Sequence, residues 1–342
     1  MRAPLVLAVI ALASAGAAPP RPLVSMRGTL WGVAQDGGRI AWTSGGCYAV
    51  HIRSLASNRQ ARIGDARPVE CGPVDTPDLA LAGRRALWTL TQAGNNVYTE
   101  VMTGRAGTRP RRLEEVIGAS AGSDGDYVTD VAGDAPTLVY SVITMSFLDT
   151  CIDPGEPCDY FVDGGRVRRV VGRSTRRVPG LPPALNLAAS GRRIALVVAA
   201  HETPDGYPRP SGAVEVRDAV SGAALSRVTV AGAPSQVALG ATYEVVLART
   251  ASGERLLRYR WSDGALLGST AVPRNATNLG IAGRRIVLSS GRAIRLVDAA
   301  TGAVRTVARA RSNPIGVSIE GRRLVWGERL GRRSRIVAVA VD

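Results

Sequence analysis

Apolar and polar positions alternate one by one over short runs along most of the chain, and glycines and charged residues break the runs. Ala213-Val-Glu-Val-Arg-Asp218 and Ala293-Ile-Arg-Leu-Val-Asp298 show the alternation most clearly. A period of two puts every second side chain on one face, as a half-buried β-strand requires. No stretch after residue 18 sustains the period of an amphipathic helix, so the pattern predicts an all-β protein in which strands do not alternate with helices.

The strands recur as a unit. A short apolar strand, a Gly-Arg-Arg turn and a second apolar strand appear at Leu79-Ala-Leu-Ala-Gly83-Arg84-Arg85, Leu187-Ala-Ala-Ser-Gly191-Arg192-Arg193, Leu279-Gly-Ile-Ala-Gly283-Arg284-Arg285 and Val317-Ser-Ile-Glu-Gly321-Arg322-Arg323. Gly38-Arg39 opens a fifth copy, and weaker ones stand at Gly133 and Gly240. The glycines are spaced from 38 residues (Gly283 to Gly321) to 58 residues (Gly133 to Gly191), which brackets a propeller blade of roughly 40–50 residues. In the best units an Asp-x-x-Ser/Thr-Gly turn joins the third and fourth strands: Asp218 to Gly222 and Asp298 to Gly302. Its Asp supplies side-chain acceptors and its Gly a positive φ. Seven inner hairpins predict a β-propeller of seven four-stranded blades; if one weak copy is an insertion, there are six. The last blade has only three strands, ending at Ile336 to Val341, so the segment Leu23 to Thr29 is expected to supply its fourth strand and close the ring.

These repeats resemble the WD40-like and TolB-type propellers of exported bacterial proteins, and the Asp-x-x-Ser/Thr-Gly turns resemble quinoprotein-type repeats. The resemblance spans nearly all of residues 18–342 and implies architecture. The Trp that follows Thr-Gly in quinoprotein repeats is absent after Gly222 and Gly302, and the Gly-His and Trp-Asp pairs of WD40 repeats are absent too. Neither quinone binding nor eukaryotic-type scaffolding is therefore carried over.

Arg2, the apolar run Leu5 to Ala13 and the small residues Ala15-Gly16-Ala17 read as a signal peptide over 1–17, with cleavage before Ala18. The run is too short for a membrane anchor. The remaining 18–342 are expected to form a single propeller domain, a monomer in the secreted, periplasmic or other extracytoplasmic space. The four cysteines fit that address. Cys151-Ile-Asp-Pro-Gly-Glu-Pro-Cys158 closes a short loop that turns back on itself, which pairs Cys151 with Cys158 and leaves Cys47 for Cys71. Other pairings stay open. A zinc site would want tightly spaced Cys pairs with His support, and the chain has only His51 and His201, so neither metal nor cofactor is expected.

Charge changes the picture once more. There is no Lys; the 43 basic residues are all Arg, against 28 acidic ones, for a net charge of +15, while aromatics make up only 4%. Such a balance points to anionic partners, and an exported chain makes nucleic acid the least suitable of them. Antiparallel strands sort the loops of a propeller by face. One face takes the long segments Gly72 to Asp78, Phe147 to Gly165 (with Asp149, Asp153, Glu156, Asp159 and Asp163) and His201 to Gly212. The other takes the Gly-Arg-Arg turns. Arg39, Arg84, Arg85, Arg192, Arg193, Arg284, Arg285, Arg322 and Arg323 would ring one opening of the channel, with Arg105 and Arg173 in outer turns of the same face. Guanidinium forks suit phosphate and carboxylate. With no helix predicted, there is no strand-to-helix nucleophile elbow and no phosphate-cradling loop ahead of a helix, His51 reads as a strand residue, and turn chemistry accounts for Asp124, Asp126 and Asp130. The sequence therefore favours an exported non-enzymatic binding or scaffold propeller that engages a protein or an anionic envelope polymer. The alternative is a carbohydrate lyase or hydrolase with its site on the long-loop face around His201, Glu202 and Tyr207.

Overall fold

The structure is a computed structural model that describes residues 20–44, 49–64, 78–93, 96–119, 125–147, 160–203 and 207–342. The expected leader over 1–17 and all four cysteines, Cys47, Cys71, Cys151 and Cys158, lie outside the described residues, as does most of the acidic segment around Asp153.

Seven antiparallel sheets form a closed ring. Blade 1 covers 30–63, blade 2 79–119, blade 3 125–177, blade 4 184–229, blade 5 233–271, blade 6 276–309 and blade 7 315–340. In each blade the first strand is innermost and packs against the first strands of the adjacent blades. Blade 7 takes its outer strand from Arg21–Arg27, which pairs antiparallel with Arg333–Ala340, Arg21 opposite Ala338 and Arg27 opposite Arg333. The closure expected from the sequence is therefore present. The short strand Glu202–Thr203 adds to blade 3 through Tyr160 and Phe161.

Alternation sends one face of every sheet toward the preceding blade and the other toward the next, so the core is divided into layers between blades. Ala86, Trp88 and Leu90 of blade 2 pack on Val50, Ile52 and Ile63 of blade 1, whereas Leu87, Val101 and Val116 pack on Leu138, Tyr140 and Val142 of blade 3. With few aromatics available, the largest are placed at one repeated position: Trp42, Trp88, Tyr140 and Trp326 stand third after the start of the second strand and are fully buried. At Gly104 the layers meet so closely that a Cβ would lie 2.3 Å from Ile63.

The first strands converge on a central channel of about 400 Å³ lined by small residues such as Ala34, Ala80, Ala132, Ala188, Ala238 and Gly280. A kink in the strand pairing near the start of several first strands aims one polar side chain at the next blade. Asp130 accepts hydrogen bonds from Asn186 Nδ2 (2.6 Å) and Leu187 N (2.7 Å), Asn186 Oδ1 accepts from Val237 N (2.8 Å), and Gln236 Oε1 accepts from Leu279 N (3.0 Å). Asp130, which the sequence assigned to turn chemistry, thus ties blade 3 to blade 4.

Two weak repeats depart from the expected register. Gly133 lies inside the strand Gly125–Asp134, and the turn is made two residues later by Ala135–Pro136, joined by a cis peptide bond. In blade 5 the first strand ends at Leu239, and Gly240 lacks the positive φ of the strong repeats.

Candidate functional site

The four Gly-Arg-Arg hairpins share one geometry. Gly83, Gly191, Gly283 and Gly321 have φ of 57–58° at the first central position and the following Arg does not, the pattern of a type II′ turn. That geometry exposes the first arginine of each pair, Arg84, Arg192, Arg284 and Arg322, and leaves the second half-buried at the start of the next strand. All eight lie on one face of the ring, at the turns between first and second strands.

Their partners differ. Arg192 pairs with Asp218 at 3.4 Å, Arg284 with Asp298 at 3.3 Å, and Arg322 with Asp342. The second arginines of blades 4 and 7 tie blades together. Arg193 Nη1 donates to the Ala241 carbonyl (2.9 Å) and its guanidinium lies 4.4 Å over the Trp261 ring. Arg323 bonds Gln35 Oε1 (3.3 Å) and pairs with Glu320. Nearer the axis, carboxylates cap the turns of other blades: Glu320 accepts from Gly38 N (2.9 Å), Asp36 from Gly83 N (2.5 Å) and Asp134 from Gly191 N (2.6 Å). Burial raises the Asp134 carboxyl pKa, with the Gly191 bond pulling it down and the nearby Asp36 and Glu320 raising it further. The arginines therefore lie outside the channel, whose lining of small first-strand residues includes Gln35, Asp134, Ser190 and Ser318 but no arginine.

Blade 2 breaks the pairing. The second arginine of a hairpin faces a residue at the end of the third strand: Arg193 faces Asp218, Arg285 faces Asp298, and Arg85 faces Arg105. At that register position a carboxylate is replaced by a guanidinium. Burial, then the Arg105 charge, lowers the Arg85 pKa. Arg85 and Arg105 open into a pocket of about 400 Å³ between blades 2 and 3 that Arg109, Arg111 and Arg173 also line. Sequence reading marked Arg105 and Arg173 as neighbours of the ring but missed Arg109 and Arg111. The available signal was the turn itself, Arg105-Ala-Gly107-Thr108-Arg109, in which Asp is missing and Thr108 N donates to the Arg105 carbonyl instead. The corresponding pocket between blades 6 and 7, about 450 Å³, is lined by Arg284, Arg285 and Arg305 together with Asp298 and Asp342.

The residues named for an enzyme lie on the long-loop face. His201 Nδ1 donates to the Val162 carbonyl (3.0 Å), and its ring lies 5.3 Å from that of Phe161. Glu202 belongs to the added strand, and Tyr207 is 76% exposed. Asp163 accepts from Ser146. His51, on the strand Val50–Ser54, stacks on Trp42 with centroids 5.2 Å apart; burial, then Arg62, lowers its pKa. Among the described residues, no three His, Cys, Asp or Glu side chains are placed to hold a metal ion, and no helix is long and apolar enough to cross a membrane.

The fold is a seven-bladed β-propeller of four-stranded antiparallel blades, similar to solved WD40 propellers. Solved structures similar to it include the β-propeller domain of Cps50 (Swd1) from Myceliophteria thermophila, at TM-score 0.54 and 13% identity over 93% of this chain and 99% of that one. The WD40 propeller domain of Doa1 matches at TM-score 0.52 and 9% identity over 93% and 96% of the two chains. A chain of the Mitotic Checkpoint Complex matches at 0.53 and 10% identity over 100% and 97%. No family model matches the chain, and no curated protein matches its sequence.

Proposed function

We propose that the protein is an exported, non-enzymatic binding propeller, of the TolB-like kind, that engages a protein or an anionic envelope polymer through its arginine face. The observation that carries this reading is the repeated exposure of Arg84, Arg192, Arg284 and Arg322 on a single face of a chain with net charge +15. A set of such groups on a rigid ring concentrates positive potential on one side and steers anionic partners toward it. The fold supports the reading, because propellers commonly serve as rigid scaffolds for partners, and one structural neighbour, a chain of the Mitotic Checkpoint Complex, belongs to an assembly. Polar side chains that point inward, such as Asp130, Asn186 and Gln236, are engaged in holding blades together rather than gathered around a reacting centre. Export follows from the leader-like pattern of residues 1–17.

The test is capture of envelope material by the mature protein over a salt series, compared with a variant in which Arg84, Arg192, Arg284 and Arg322 are all changed to Ser. Retention by the wild type that weakens with salt and is lost in the variant supports the reading. Equal retention by both proteins overturns it.

A further inference from the structure

We infer that the pocket between blades 2 and 3 is a phosphate-binding site. The inference rests on the binding-face reading above and narrows it to one place and one ligand chemistry. Five guanidiniums line the pocket: Arg85, Arg105, Arg109 and Arg111 from blade 2, and Arg173 from the outer hairpin of blade 3. No carboxylate lines it among the described residues.

The convergence is built into the strand register. On blade 2, Arg85, Leu87, Val101, Thr103 and Arg105 alternate onto the face toward blade 3, because Arg85 pairs with Arg105 and Leu87 with Thr103. Leu87 and Val101 fill the layer between the blades, so Arg85 and Arg105 emerge where that layer opens to solvent. Arg111 pairs with Thr103 and falls on the same side. Gly172, with φ of 60°, turns blade 3 back in a two-residue hairpin and presents Arg173 across the gap. Two blades thus contribute to one concave site.

Solvated turn chemistry explains exposed arginines one at a time but not this arrangement. Where the molecule places an Arg-Arg hairpin in blades 4 and 6, it also places Asp218 and Asp298 opposite, and in blade 7 Asp342 answers Arg322. Blade 2 reverses the charge at that register position and leaves Arg85 half-buried beside a like charge. Partly buried charge without a counter-ion is unfavourable, and an oxyanion supplies the missing charge. Planar guanidinium forks from several directions match the oxygens of a tetrahedral phosphate, each able to give two parallel N–H···O bonds. A volume of about 400 Å³ falls among small-molecule sites and admits a phosphate with a substituent, so the phosphate can be free or borne by a polymer.

The experiment titrates the mature protein with inorganic phosphate, pyrophosphate and a soluble glycerol-phosphate polymer in chloride buffers of matched ionic strength, followed by calorimetry and by ³¹P line broadening. The wild type binds, and Arg105→Asp weakens binding about tenfold or more, the effect of losing one charge-assisted contact. Arg173→Ser, on the other blade and outside the blade 2 turn, gives a loss in the same direction, so a local folding defect of Arg105→Asp does not decide the outcome. Per phosphate, tighter binding of the polymer that orthophosphate competes away identifies polymer-borne phosphate; equal binding identifies the free ion. Absence of binding by all three probes, or equal binding by Arg105→Asp and wild type, overturns the inference. If phosphate fails to bind while the four-arginine variant still loses envelope capture, the pocket is refuted and the face reading stands. If phosphate binds through Arg105 while that variant captures like wild type, the face reading falls and the pocket stands.

Discussion

Blades 2 and 6 start their second strands with the same Gly-Arg-Arg turn and end their third strands with opposite charges. In blade 6, Asp298 accepts from Ala300 N, Thr301 N (both 2.8 Å) and Thr301 Oγ1 (3.2 Å), closes the turn at Gly302 and pairs with Arg284. Those bonds, the Thr301 N–H first, pull its carboxyl pKa down to about 2. In blade 2, Arg105 occupies that place, Thr108 closes the turn, and the charge of the arginines is left open to solvent. One repeat neutralises itself and the other does not. A repeated scaffold can therefore hold a site at a single blade without any change of backbone plan.

Blade 5 carries a third outcome, and it gives the largest expected effect. Glu244 is fully buried and neither carboxylate oxygen has a hydrogen-bond partner among the described residues. The other six blades put Ile40, Ala86, Leu138, Ile194, Ile286 and Leu324 at this point of the second strand. Burial raises the Glu244 carboxyl pKa from 4.5 to about 7. The folded state thus holds a proton that the unfolded chain releases, so stability falls as pH rises from about 4.5 to 7, by about 3 kcal/mol in all, and levels off above. Glu244→Leu removes the decline. Urea unfolding across that range should show the variant gaining on wild type as pH rises; a constant gap between them refutes the assignment. Foreign charge sealed inside a layer costs stability, whereas foreign charge at the mouth of a layer is available to a ligand.

A transplant breaks the comparison from the other side. Asp298→Arg gives blade 6 the charge pattern of blade 2 and removes the turn acceptor. The melting temperature should fall, because Ala300 and Thr301 lose their partner, and phosphate should acquire a second, weaker site there, since Asp342 remains in the pocket. Unchanged phosphate stoichiometry would show that the charge pattern alone does not make a site. The smallest effect is expected for the stability of Arg105→Asp. It relieves the repulsion with Arg85 at a mostly exposed position, so it should shift unfolding by only about 0.5 kcal/mol or less, in the stabilising direction. A large loss would mean that Arg105 holds the turn, and the phosphate result would then rest on Arg173→Ser.

Much of the ring was legible in the sequence because blade-closing turns use residues with special backbone needs. Gly83, Gly191, Gly283 and Gly321 mark their hairpins through positive φ, and Asp218 and Asp298 mark theirs through side-chain acceptors. Where a turn uses another device, as Ala135–Pro136 does, the glycine at 133 misled by two residues. The pocket was less visible. Its parts lie on two blades, and the opposition of Arg85 to Arg105, against that of Arg285 to Asp298, depends on register across strands whose connecting loops differ in length. Local pattern places a residue on a face; which residue it meets across the sheet is set by loop length, which apolar alternation does not encode.

The closing strand has a consequence for how the protein is made. Leu30 N bonds Ser334 Oγ at 3.2 Å across 304 residues of chain, beside the pairing of Arg21–Arg27 with Arg333–Ala340. Chain synthesis runs from the N-terminus at ~5–20 residues per second, so the first strand waits roughly 15 to 60 s for its partner. Throughout that interval the nascent protein is an open arc with a bare strand edge at each end, able to recruit the wrong strand from another copy. Ring closure waits for the strand Arg333–Ala340, and neighbouring chains must be kept from the open edges until it pairs.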